Sequence, residues 1–185
     1  MGTVYLPADD EINGLVRRVM EKYHPELDGM GVTVSTLRAF SASGHPLKSK
    51  GFPALADICV TSLQDRARGM SDVKMRIDGA AWDGMSREAR VALIDHELEH
   101  IKVVPDKDSG NPGVDDLGRP KLKSRAHDWE IGGFDAVVRR HGDHAPELRA
   151  LRAAESRLSQ GHFDFDRPEP FEETEDEEEF EEVVA

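Results

Sequence analysis

The chain has 185 residues, a net charge of −13 and one cysteine, Cys59. Its length allows one domain with its own hydrophobic core plus a tail, and a single cysteine excludes an intramolecular disulfide. No segment approaches the ~20 apolar residues of a membrane helix, and the first residues do not resemble a secretory signal. We therefore expect a cytoplasmic protein without membrane contact.

The negative charge is concentrated at the end of the sequence. Residues 164–185 contain twelve acidic side chains and one arginine, a net of −11, which leaves −2 for residues 1–163. Like charges with little apolar surface to bury are typical of disorder. We predict a domain over 1–163 and an acidic disordered tail over 164–185. The tail either solubilises the chain, contacts a basic partner or covers the domain's own cleft.

The near-neutral body disfavours nucleic acid as a partner, because attraction to phosphates requires positive charge. One short segment is locally basic. Its four cations, which we interpret as a solvated arm beside a loop, are Arg119, Lys121, Lys123 and Arg125.

Apolar periodicity predicts the elements of the first half of the chain. A helix begins at Asp9 or Asp10, either of which can cap it, and ends before Pro25. The further segments are a strand over 32–37, a loop over 41–54, and strands over 55–60 and 73–78. We expect the strand over 73–78 to have a free edge that an extended peptide can join.

A second helix begins at Asp83 or Ser86 and runs to about 103. It has two apolar stripes, and one of them includes His96 and His100, which we therefore expect to face inward. The segments predicted after it are a loop over 104–120, a short strand around Leu122, and helices over about 124–140 and 146–158.

The motif His96-Glu97-Leu98-Glu99-His100 carries the strongest chemical signal. Histidines four residues apart point the same way from a helix, so both imidazoles can reach one zinc ion at about 2.0–2.1 Å. Glu97 projects about 100° further round the helix, toward a water on the metal rather than the metal itself. The pattern is that of the His-Glu-x-x-His peptidases, with Glu97 as the general base. An exposed helix surface rich in His and Glu is the competing interpretation.

A catalytic zinc site needs a third protein ligand and an open position. His127 is the first choice, on the inner face of the third predicted helix. Glu130, one turn further on, is the alternative, and Asp128 is a third possibility. Asp95 and Asp128 are also placed to orient ligands through a free ring nitrogen.

Three segments together resemble the putative phage metallopeptidase family, a zincin-like group related in style to SprT-like zinc peptidases. They are Ala92–His100 with the motif, Gly118-Arg119-Pro120-Lys121-Leu122, and His127-Asp128-Trp129-Glu130. The resemblance covers roughly residues 7 to 142. It implies His96, His100 and a residue of the His127 segment as metal ligands, with Glu97 as the base.

We therefore expect an α+β, zincin-like fold, with a small mixed sheet packed against a central zinc-binding motif helix and further helices. The predicted function is that of a zinc metallopeptidase acting on protein or peptide substrates in the cytoplasm of a phage-infected bacterium. The alternative is a zinc-stabilised binding protein of phage origin, without hydrolysis, that interacts with a host component.

Overall fold

A computed structural model describes residues 2–49, 51–127 and 135–160 of the chain. The chain divides into two compact units between His127 and Asp128. The predicted boundary at 163 and the acidic tail lie outside the described residues, so both stay predictions.

Most helices begin where the sequence provides a capping side chain. Asp9 accepts a hydrogen bond from the amide of Ile12 at 2.9 Å, and Ser86 accepts one from the amide of Ala89 at 3.3 Å. These bonds satisfy amides that lack a partner within the helix. The helices of the described residues are α1 Asp10–Tyr23, α2 Pro25–Asp28, α3 Leu63–Ala67, α4 Gly79–Asp83, α5 Arg87–Glu99, α6 Asp135–His141 and α7 Pro146–Gln160, with a 3₁₀ turn at Gly142–His144.

The strands form one four-stranded sheet and two small hairpins. They are β1 Val4–Pro7, β2 Val34–Phe40, β3 Lys48–Ser49, β4 Phe52–Pro53, β5 Ala56–Val60, β6 Val73–Asp78, β7 Ile101–Val103 and β8 Leu122–Ser124. In the main sheet the order is β1-β2-β6-β5, and only the β2–β6 pair is parallel. The predicted combination of a small mixed sheet with helices is confirmed.

The core lies between this sheet and helices α1 and α5. Val73, Met75 and Ile77 alternate along β6 and are fully buried. Helix α1 contacts β2, helix α5 contacts β5, and the two helices contact each other. Because β6 is flanked by β2 and β5, its predicted free edge is wrong. Strand β5 lies at that side of the sheet instead.

Helix α5, the second of the predicted helices, is shorter than predicted, and it buries one apolar stripe instead of two. Its buried apolar stripe is Val91, Ile94 and Leu98, whereas His96 is exposed and His100 is half-buried. The expectation that both histidines face inward is therefore wrong. The helix ends at Glu99 rather than near 103, because residues 101–103 pair as a strand with β8.

The helix predicted from about 124 does not begin there. Ser124 ends strand β8, and residues 125–127 are neither helix nor strand. Residues 128–134 lie outside the described part, and α6 is helical from Asp135. The predicted fourth helix is confirmed as α7.

Candidate metal centre

The C-terminal end of α5 presents two imidazoles side by side. His96 lies in the last turn and His100 caps the helix with backbone angles that are still helical. Their ring centroids are 5.2 Å apart. The four-residue spacing thus places both rings on one face even though the helix stops between them.

A β-hairpin, not a helix, brings the third histidine to this face. Strands β7 and β8 pair antiparallel, with Ile101 opposite Ser124. The pairing continues one step further, because the amide of Arg125 donates to the carbonyl of His100 at 2.8 Å. His127 follows two residues later, and its ring centroid is 4.5 Å from that of His100 and 5.0 Å from that of His96.

The three histidines fit a metal ion. Their donor nitrogens all lie within 4.8 Å of one another. The Nε2 atoms of His96 and His127 are 3.2 Å apart. Two nitrogens bound at about 2.0–2.1 Å to one tetrahedral ion are separated by roughly 3.3 Å, so the observed spacing is close to that of a ligated pair.

A backbone carbonyl selects the nitrogen that His100 can offer to an ion. The carbonyl of Arg125 lies 2.9 Å from Nδ1 of His100. Because a carbonyl can only accept, Nδ1 carries the proton and Nε2 keeps its lone pair. The acidic orienting partner expected at Asp95 is elsewhere, since Oδ1 of Asp95 pairs with Nε2 of the buried His24 at 2.8 Å.

Protonation of the imidazoles would prevent them from binding a metal ion. Partial burial of the imidazole, and secondarily the positive charges of the neighbouring His100 and His127, lower the pKa of His96. A lowered pKa keeps the imidazole neutral, which is the form that binds a metal.

Glu97, which directly follows His96 on α5, is buried, with 5% of its surface exposed. Burial, and secondarily the charge of Asp57 on β5, raises the pKa of Glu97 to about 7. A carboxyl group with a pKa near neutrality can both accept and return a proton. The motif predicted a base at this position, but its burial depends on the packing of α5 against the sheet.

A long segment, residues 104–121, connects β7 to β8 and is called the excursion below. A second polar cluster anchors the part of it that is far from the two strands. Arg66 and Asp72 are buried and paired, and Arg66 also reaches Asp115 at 2.7 Å. Arg119 pairs with Asp72 at 2.8 Å. Burial by itself disfavours the Asp72 carboxylate, but hydrogen bonds from Thr33, Arg119 and Arg66 outweigh it and lower its pKa to about 2.

No sequence pattern predicts this cluster. The interpretation of the basic stretch as a solvated arm is wrong for Arg119 and Arg125, because Arg119 pairs with Asp72 and Arg125 pairs with Glu99. Arg66 and Asp72 are buried and six residues apart. Such a pair of charged residues produces no apolar periodicity by which the sequence could reveal its burial.

Of the predicted ligands, His96, His100 and His127 come together. The alternatives Glu130 and Asp128 lie outside the described residues. Among the residues that the structure describes, these three histidines form the one group of His, Cys, Asp and Glu side chains spaced to hold a metal. No helix in the same ranges is long and apolar enough to cross a membrane.

Comparison with known proteins identifies the family. Residues 4–155 match the family described as "Putative phage metallopeptidase". The match spans most of the chain, so the protein belongs to this family. No curated protein and no solved structure gives a significant match.

Proposed function

We propose that the protein is a zinc-dependent peptidase of zincin-like arrangement, in which His96, His100 and His127 hold the metal and Glu97 is the general base. The observation that carries the proposal is the convergence of three imidazoles at the end of a helix on which the buried Glu97 directly follows His96. Family membership supports a metal-dependent hydrolase. The choice of zinc follows from the donor set, because three neutral imidazoles with an open position are typical of catalytic zinc sites.

A zinc ion at this site would act as a Lewis acid toward water and toward a peptide carbonyl. The chain's own residues do the rest. The three imidazoles keep one side of the site open, since His96 and His127 are exposed. Glu97, with its raised pKa, takes a proton from the attacking water and returns it to the leaving amine.

The substrate is an extended peptide in this proposal, and β5 replaces β6 as the strand that can receive it. Strand β5 lies at the edge of the main sheet and contacts α5. Its residue Asp57 is electrostatically coupled to Glu97. A peptide added along this edge would therefore run beside the motif helix.

The test is the variant Glu97→Gln, which keeps the shape of the side chain but cannot accept a proton. We expect zinc content to stay at the wild-type level while kcat/KM for a cleaved peptide falls about 10²–10⁴-fold. Glu11→Gln, on the exposed end of α1, is the matched control and should cleave normally. Bound zinc without hydrolysis of a broad peptide library by the wild type would favour the non-hydrolytic binding protein instead.

A further inference from the structure

Glu99 is one of the two motif residues to which the His-Glu-x-x-His pattern gives no role, and the other, Leu98, is buried in the core. Its carboxylate forms an ion pair with the guanidinium of Arg125, and Nζ of Lys102 lies 3.1 Å from the same oxygen. The side chain is about half exposed, at 46%. It therefore lies beside the metal centre but not in it.

The partner of Glu99 belongs to the segment that carries the third histidine. Arg125 lies two residues before His127, directly after β8. The backbone of Arg125 bonds twice to His100, through its amide and through its carbonyl. Its side chain adds a third attachment, to Glu99, so that the segment is held to both of the last two motif residues.

The opposite side of the helix end is held by His24, at the C-terminus of α1. His24 is buried, its Nε2 pairs with Asp95, and its Nδ1 lies 3.8 Å from Glu99. Asp95 and Glu99 are one turn apart and each directly precedes a motif histidine. Glu99 thus links the end of α5, which His24 holds in place, to residues 125–127, which follow β8 and are not in a strand.

We propose that Glu99 is a positioning residue: through its ion pair with Arg125 it holds the segment bearing His127 against the end of α5, which keeps the three imidazoles spaced for one metal ion. The proposal rests on the proposed metal site. It does not require that the site hydrolyse peptides. The partly exposed pair affects the ligand's average position rather than bonding to the ligand itself, so its effect on metal affinity is moderate.

The experiment is a double-mutant cycle in zinc affinity, measured on the full chain by competition with a chromophoric chelator. We expect Glu99→Gln to weaken zinc binding about 3- to 10-fold, below the 10–100-fold loss usual for a partner bonded directly to a ligand. In a His127→Ala background the same substitution should change affinity less than about 2-fold, because the ligand that the pair positions is gone. Arg125→Ala should repeat both results, since its backbone bonds to His100 remain.

Glu11→Gln is the matched control, because Glu11 also pairs with an arginine of α5, Arg90, at 3.7 Å. It should leave zinc affinity unchanged. An equal loss from Glu99→Gln in both backgrounds, or no loss in either, overturns the positioning role. A wild-type chain that binds no zinc overturns this proposal and the proposed function together. Zinc binding with the expected cycle but without peptide cleavage supports the positioning role and contradicts only the peptidase.

Discussion

Two polar clusters hold the long excursion between β7 and β8, and they are built on opposite principles. The first joins Arg66, Asp72 and Arg119, in which opposite charges meet and the central pair is buried. The second joins His96, His100 and His127, in which like groups meet and two of the three are exposed. A buried pair of opposite charges is complete in itself, whereas three converging bases are arranged for a shared cation.

The difference suits the ionic cluster to maintaining the fold and the histidine cluster to the proposed chemistry. The ionic cluster attaches the turn at 115–119 to the loop that precedes β6, since Arg119 also donates to the carbonyl of Met70 at 2.8 Å. The histidine cluster lies where the hairpin returns to α5. The excursion between β7 and β8 is thus fixed at its far part by charge and at its base by the pairing of the two strands.

Removing the buried carboxylate should have the largest effect on stability. Asp72→Ala leaves Arg66 buried without its main partner, and we expect the free energy of unfolding to fall by about 3–5 kcal/mol. Urea unfolding of the metal-free chain measures this. Glu11→Ala is the control, because its exposed pair with Arg90 should contribute less than about 1 kcal/mol. Equal losses of stability in the two variants would mean that the buried ionic cluster contributes no more than an exposed pair, which would contradict its role in maintaining the fold.

Removing the third imidazole should act on metal affinity instead. We expect His127→Ala to weaken zinc binding by at least about 100-fold, more than loss of an outer-shell partner would, with little change in metal-free stability. His144→Ala, an exposed histidine of the 3₁₀ turn, should bind zinc as the wild type does. Unchanged affinity in His127→Ala would transfer the third-ligand role to another group, with Glu130 and Asp128 the predicted alternatives.

A third effect concerns pH and the buried base, Glu97. Glu97 has a pKa of about 7 in the folded chain and about 4.3 when unfolded. Between these values the folded state binds more protons, so wild-type stability falls as pH rises through this window. Glu97→Gln does not titrate, and metal-free urea unfolding should show it more stable than wild type by about 3–4 kcal/mol at about pH 8, but not at about pH 4. A difference that is the same at both pH values would contradict a raised pKa at Glu97.

Local pattern was sufficient for the parts of the fold that depend on short-range interactions. Helix α1 begins at its predicted cap, Asp9, and strand β6 covers the predicted residues 73–78. It failed where pairing is long-range. Residues after 124 have a helical apolar pattern. However, Ser124 pairs with Ile101, more than twenty residues earlier, and residues 125–127 are consequently not helical.

The amino-acid sequence by itself determined the motif, because the spacing of His96, Glu97 and His100 on a helix is a local property. It also gave His127 as the first of three candidates for the third ligand, and the three histidines do meet. Only the tertiary structure decided that His127 arrives on a hairpin, that Glu97 is buried while His96 is exposed, and that Glu99 pairs with Arg125. Those outcomes depend on which surfaces of α5 pack against β5 and on the closure of a long excursion, and no local sequence pattern encodes either.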